Sequence, residues 1–276
     1  MWPWHDFGGR FSAFKLGVFL VLFVPGALLV ADFVMGNIGA RPANAAVRET
    51  GQWMIRLLFV SLAVTPFREA LNWPRLLEIR RMIGVAAFAY GFAHLSLYAT
   101  QEMWNLAKVV NEIVLRIYLT IGFVGLVGLA ALAATSTDAM VRRMGSKWQK
   151  LHWSIYVIAV LAAVHFFLQS KANVGEPIMM MGFYIWLMGY RFLRRGRRRP
   201  GALALTGLGL GAVAVTAGGE ALYYFLKLGV SPLMVLAANL SPGAGFRPAW
   251  GVLIGAGLVL VALAVRARRT RSNAPA

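Results

Sequence analysis

Eight apolar runs govern what this chain can become. They fall at about residues 14–34, 53–70, 81–100, 113–134, 151–169, 177–193, 202–226 and 249–265. Each approaches the roughly 20 residues an α-helix needs to cross a bilayer, the second and sixth being short. In hydrocarbon every backbone N–H and C=O must find its partner within the segment, so such runs become helices. With 59% of 276 residues hydrophobic, the chain lacks the polar surface of a soluble domain. The expected fold class is all-α integral membrane: a six-helix core over 1–199 and two additional C-terminal transmembrane helices over 200–276. The boundary is placed at the basic run Arg194–Arg199, with Gly196 and Pro200, beyond which the chain turns rich in Gly, Ala and Leu and holds no histidine. There Gly207, Gly209 and Gly211 read as close-packing positions. The first run reads as a retained helix, because it is too long for a signal peptide and Ala43-Asn44-Ala45 lies far beyond it. No internal repeat of fixed period is visible.

Lys and Arg number 28 against 10 Asp and Glu, a formal charge of +18. In a soluble chain this balance would point to nucleic acid; here the basic residues cluster between apolar runs, which makes them topology signals and the bilayer the partner. Arg68, Arg75, Arg80 and Arg81 separate the second and third runs. Arg142, Arg143, Lys147 and Lys150 separate the fourth and fifth. Arg191, Arg194, Arg195 and Arg197–Arg199 follow the sixth, and Arg266, Arg268, Arg269 and Arg271 follow the eighth. The opposite connections hold only Arg41 and Arg48, then Lys108, then Lys171, then Lys227 and Arg247. The positive-inside rule places both termini in the cytoplasm. The absence of cysteine excludes disulfides, iron–sulfur clusters, thiolate haem ligation and a cysteine nucleophile.

The stretch 148–171 carries His152 and His165, two of only four histidines. An imidazole in hydrocarbon is costly unless it is paired or has a task. Along an ideal helix these two lie roughly 20 Å apart, one towards each face of the membrane. His94, in the third run, reaches the same depth as His165, since both follow a basic cytoplasmic flank by a similar length. Two neutral imidazoles facing each other across a bundle are what six-coordinate b-type haem requires. His152 has no such partner, because Arg80 and Arg81 occupy its level on the third run. An ideal helix would also set the side chains of His152 and His165 about 140° apart, which only a bend or π-bulge would correct. The plainer alternative is that these are hydrogen-bonded structural histidines. His5 lies in the N-terminal tail, outside this arrangement.

Arg80, Arg81, Arg142, Arg143, Lys147 and Lys150 crowd the cytoplasmic end near His152. Topology and anionic lipid explain most of them; one or two are candidates for a haem propionate or a flavin phosphate. Trp148, Trp153, Tyr90, Tyr98 and Tyr156 fit interfacial belts or haem packing. Gly122, Gly125 and Gly128 read as a packing stripe. Glu220, inside the seventh run, is either a functional carboxylate or the partner of a cation near the outer face such as Lys227.

These residues resemble the MsrQ (YedZ) family of the ferric-reductase-like transmembrane group. The resemblance rests on Arg80-Arg81-Met82-Ile83-Gly84, on Tyr90, His94 and Tyr98 at four-residue steps, and on Thr135-Ser136. It continues through Arg142-Arg143, Gly145, Trp148, Leu151-His152, Tyr156, His165-Phe166 and Lys171, and covers about residues 10–195. It implies a haem-containing subunit of the bacterial inner membrane, with His94, His152 and His165 as haem histidines. It further implies the quinone pool or a cytoplasmic flavin reductase as donor, FMN as an associated flavin, and a periplasmic molybdenum-cofactor enzyme that reduces methionine sulfoxide as acceptor. No glycine-rich nucleotide fingerprint accompanies these motifs, so FMN rests on the resemblance alone. Residues 200–276 exceed the family's usual six helices. The reading is of an electron conduit that performs no bond chemistry on substrate. Its rivals are a stand-alone ferric or cupric reductase and a haem-free proton or solute transporter.

Overall fold

The computed structural model describes residues 3–5, 8–170, 173–195 and 200–272. Lys171, Gly196 and Arg197–Arg199 lie outside the described residues, as do the side chains of Arg269 and Arg271. Among the described residues the fold is helical, without strands. The helices are α1 (Ala13–Val34), α2 (Pro42–Leu71), α3 (Leu76–Gln101), α4 (Leu106–Leu115), α5 (Ile117–Ala134) and α6 (Asp138–Met144). They continue as α7 (Ser146–His152), α8 (Ile155–Gln169), α9 (Gly175–Arg194), α10 (Ala202–Leu228), α11 (Pro232–Leu240) and α12 (Pro248–Ser272).

Among the described residues, six spans are long and apolar enough to cross a membrane: α1, α3, α5, the segment Ser146–Gln169 that holds α7 and α8, α10, and Pro248–Arg268 of α12. Eight were expected. The second and sixth runs do form long helices, α2 and α9. Gln52, Arg56 and Arg68 dilute the first, and tyrosine, tryptophan, glycine and arginine dilute the second, below the mean hydropathy of the others.

The chain divides into two compact units, residues 1–62 with 75–168, and 63–74 with 169–276. The compositional boundary at 199 falls between α9 and α10, inside the second unit. In the first unit the buried residues recur at helical spacing: Ile79, Ile83, Ala87 and Gly91 on α3, Gly125, Leu129 and Leu132 on α5, and Ile158, Ala159, Ala162 and Ala163 on α8. The other faces carry exposed Leu, Val and Phe, the pattern of helices whose surroundings are as apolar as their core. Small residues set the spacing: a Cβ on Gly91 would lie 2.9 Å from Leu126 Cδ1 and 3.2 Å from Met54 Cγ.

Tyr90 joins α1 to α3. Its hydroxyl donates to Leu22 O and accepts from Gly26 N, both at 2.9 Å. It thereby inserts into the α1 hydrogen-bond ladder beside Pro25, whose missing N–H already interrupts it. In the second unit, α9, α10 and α12 pack together around Trp186, Leu187, Leu205, Ala212, Val252 and Val259. The end of α2 is tied in by Glu69, which accepts from Tyr190 Oη at 2.5 Å and Arg194 Nε at 2.8 Å.

Candidate functional site: the histidines of the first unit

His94 stands on α3 and His165 on α8, both half-buried. Their ring centroids are 6.4 Å apart, with the planes nearly perpendicular at 83°. A metal–imidazole bond of about 2.0 Å on each side brings two ring centres to about 6.3 Å. The observed separation is close to that value.

The surroundings of the two rings match. His94 Nδ1 is 2.7 Å from Val47 O, and His165 Nδ1 is 2.7 Å from Tyr118 O. A carbonyl only accepts, so each Nδ1 carries the proton and each Nε2 presents a lone pair. This is the tautomer a metal-binding histidine needs, fixed by its outer hydrogen bond. One helical turn beyond each carbonyl stands a glycine that the ring lies against. A Cβ on Gly51 would sit 2.9 Å from His94 Nδ1, and one on Gly122 would sit 2.6 Å from His165 Nδ1. Gly122 was expected to be part of a packing stripe; its neighbour is the histidine ring.

Each histidine follows its carbonyl residue by the same 47 positions. The site is therefore a two-fold internal correspondence, Val47–Gly51–His94 with Tyr118–Gly122–His165, where no repeat was visible. It escapes a search by composition because Val47 and Tyr118 differ in residue type, and outside the glycine and the histidine the matches are common apolar residues such as Leu58 with Leu129 and Leu97 with Leu168. The signal available in the sequence was the equal distance from glycine to histidine in both halves.

The same offset that carries His94 to His165 carries Arg81 to His152. The first half thus has arginine where the second has its other histidine, and Arg81 is engaged, with Nη1 2.5 Å from Asp138 Oδ1. His152 Nδ1 is 3.0 Å from Trp148 O, and its ring stacks on Trp148 at 3.8 Å. Its Nε2 faces Ser136 Oγ at 3.5 Å, the outer limit of a hydrogen bond. Trp148 Nε1 in turn donates to Thr135 O at 2.9 Å, so Thr135-Ser136 and Trp148 together form the cradle of His152. Between His152 and His165 the helix is broken at Trp153–Ser154, where Ser154 Oγ donates to Leu151 O at 2.7 Å. This is a turn rather than a π-bulge, and it removes the ideal-helix relation between the two side chains.

Of the six basic candidates, Arg80 and Arg81 are half-buried and act electrostatically on His152. Arg142, Arg143, Lys147 and Lys150 are exposed on α6 and α7. Arg142 acts on Asp138, an acid not singled out from the sequence. Gly145, with φ +53°, turns the chain between α6 and α7. Tyr90 serves the α1–α3 junction. Among the described residues, no group of three or more His, Cys, Asp or Glu side chains forms a metal-holding cluster.

Residues 50–163 match the family model described as ferric reductase like transmembrane component. That interval contains His94 and His152 and stops just short of His165. Three proteins named protein-methionine-sulfoxide reductase heme-binding subunit MsrQ are similar to this chain. The one from Rhodospirillum rubrum is 38% identical over 187 residues, 67% of this chain and 90% of the relative. The one from Azospira oryzae is 34% identical over 191 residues, 68% and 82% of the two chains. The one from Caulobacter vibrioides is 38% identical over 185 residues, 66% and 87%. No solved structure matches. With a ferric-reductase-like match over residues 50–163 and relatives matched over most of their own length, the chain belongs to the MsrQ family.

Proposed function

We propose that the chain is the haem-binding membrane subunit of a protein-methionine-sulfoxide reductase, with one b-type haem iron held between His94 and His165. The observation that carries this is the 6.4 Å ring separation together with the identical Nδ1-to-carbonyl contacts. Haem supplies a one-electron carrier. The chain's own part is to hold both imidazoles in the ligating tautomer, to let them approach α2 and α5 at Gly51 and Gly122, and to surround them with apolar helices. At the level of His152 the chain offers a single imidazole, so a second iron there would have one protein ligand.

On the positive-inside rule, the basic clusters favour a cytoplasmic Arg81 end of the first unit, a periplasmic His94 and His165 end, and both chain termini inside. The two C-terminal spans are α10 and α12. In this orientation electrons enter from the quinone pool or a cytoplasmic flavin donor and leave to a periplasmic molybdenum-cofactor reductase. An inside-negative potential assists that movement by about 2.3 kcal/mol per 100 mV. FMN belongs to the proposal through family resemblance, with Arg80, Arg81, Arg142, Arg143, Lys147 and Lys150 as its candidate anion partners.

The test is reoxidation. Purified chain in vesicles, reduced by quinol, is mixed with the periplasmic reductase and then with methionine sulfoxide. Reoxidation that requires both is the expected result. Reoxidation by ferric citrate alone would favour the stand-alone metal reductase, and protein without a haemochrome spectrum would favour the transporter.

A further inference from the structure

Helix α4 carries more apolar surface than the protein covers. Along its axis Leu106, Val110 and Val114 fall within an arc of about 80°. They are 61%, 59% and 69% exposed. Val109, on the adjoining arc with Ile113, is 5% exposed and turns to the protein. Lys108, Asn111 and Glu112, with exposed Leu115 among them in the last turn, complete the circle, so the helix has a protein face, an apolar free face and a mainly polar free face. The helix is held firmly. Asn105 Oδ1 caps it by accepting from Lys108 N at 3.0 Å. Thr120 Oγ1 donates to Ile113 O at 2.5 Å, and Arg116 both ends α4 and caps α5. Just before α4, the positive φ of Met103 and Trp104 turns the chain out of α3 and leaves both side chains exposed.

We propose that α4 lies flat in the membrane interface, with Leu106, Val110, Val114 and Trp104 seated at the boundary between lipid headgroups and acyl chains. The helix joins α3 to α5, two membrane-length spans, so both of its ends lie where those spans leave the bilayer. At the junction with α5, exposed Leu115 and Ile117 flank Arg116, so apolar surface runs up to the start of a spanning helix. The polar face carries no net charge to hold a charged partner. Lys108 Nζ is 2.6 Å from Glu102 Oε2, and Arg116 Nε is 2.6 Å from Glu112 Oε2. An amphipathic helix with paired charges is held by buried apolar area and not by attraction to anionic lipid, and tryptophan favours the same depth.

The chain has no cysteine, which allows single-site labelling of the full protein. Val110→Cys, Val114→Cys and Asn111→Cys are labelled with an environment-sensitive fluorophore. Each is reconstituted in phosphatidylcholine vesicles with and without phosphatidylglycerol. The labels at 110 and 114 are expected to emit to the blue, to be quenched by lipids brominated near the headgroup, and to lose quenching by aqueous iodide. The label at 111 is expected to do the reverse, and the anionic lipid to change neither. Equal iodide quenching at all three positions would overturn the proposal and mark the face as open to a soluble protein. Seating that appears only with phosphatidylglycerol would overturn the charge-neutral basis of the seat. Neither readout depends on haem content, so the result stands apart from the function proposed above.

Discussion

Replacing Gly122 with alanine tests the site through a single methyl group. The new Cβ would lie 2.6, 2.7 and 2.9 Å from Nδ1, Cε1 and Cγ of His165. Ordinary carbon contact needs about 3.5 Å, so the ring must withdraw by roughly 0.8 Å. Withdrawal from Gly122 is also withdrawal from Tyr118, one turn earlier on the same helix. The 2.7 Å contact to Tyr118 O then stretches to about 3.5 Å, where little of a hydrogen bond is left. Losing it costs about 1–3 kcal/mol and the overpacking about 1–3 kcal/mol more. Read as cofactor affinity, loss of such an outer partner weakens binding by about 10–100-fold. Gly51→Ala meets His94 at 2.9 and 3.0 Å and is expected to have a smaller effect of the same kind. Gly84→Ala, on α3 with nothing near its Cβ, is the neutral control. The assay is haem-to-protein ratio by pyridine haemochrome, with the low-spin optical spectrum of the purified variants. A Gly122→Ala protein with wild-type haem content and an unchanged spectrum would refute the reasoning.

Three further outcomes follow from the same structure. Glu220 is 2% exposed and is held by Arg247 Nη1 at 3.2 Å and Asn239 Nδ2 at 2.8 Å; Glu220→Ala, which strands the arginine, is expected to cost about 3 kcal/mol in detergent unfolding, and pairing it with Arg247→Met to recover part of that. Gly182→Ala drives a Cβ into Thr216 and to 2.8 Å from Val252 Cγ2, whereas Gly251→Ala meets chiefly the flexible end of Met179, so the first is expected to lower Tm and the second to lower it less. The hydrogen bond from Arg81 holds the Asp138 carboxyl below its usual range. A depressed carboxylate contributes stability in full above its unfolded pKa of about 4 and loses it as pH falls through the lower folded value. Both side chains are substantially exposed, so an Arg81→Gln/Asp138→Asn cycle is expected to give under about 1 kcal/mol at neutral pH and none in strong acid. Coupling that grows on acidification would contradict the assignment.

Hydrophobic run length made the helices legible, because a bilayer imposes one length and one backbone solution. The matched depth of His94 and His165 was legible for the same reason, as was the mismatch at His152, where arginine holds the corresponding position. What escaped was governed by contacts between residues far apart in sequence. Val47 and Tyr118 act through backbone carbonyls, which no side-chain pattern reveals. Gly51 and Gly122 matter for what lies against them. The break at Trp153–Ser154 coincides with Ser154 Oγ donating to Leu151 O, a contact Ser61 also makes to Leu58 inside the unbroken α2, so the serine alone does not announce it. Glu220 was legible as needing a cation near the outer face; Arg247, with Asn239, fills that place instead of Lys227. Helix α4 escaped a search for spans because it is ten residues long and its last residues fall within the apolar run 113–134, whose helix α5 begins only at Ile117.

The most direct test of the central pairing is low-spin electron paramagnetic resonance of the purified protein and of His94→Ala, His165→Ala and His152→Ala. The bis-imidazole signal is expected to vanish equally in the first two variants and to persist in the third. Its persistence in either of the first two, or its loss in His152→Ala alone, would contradict the account.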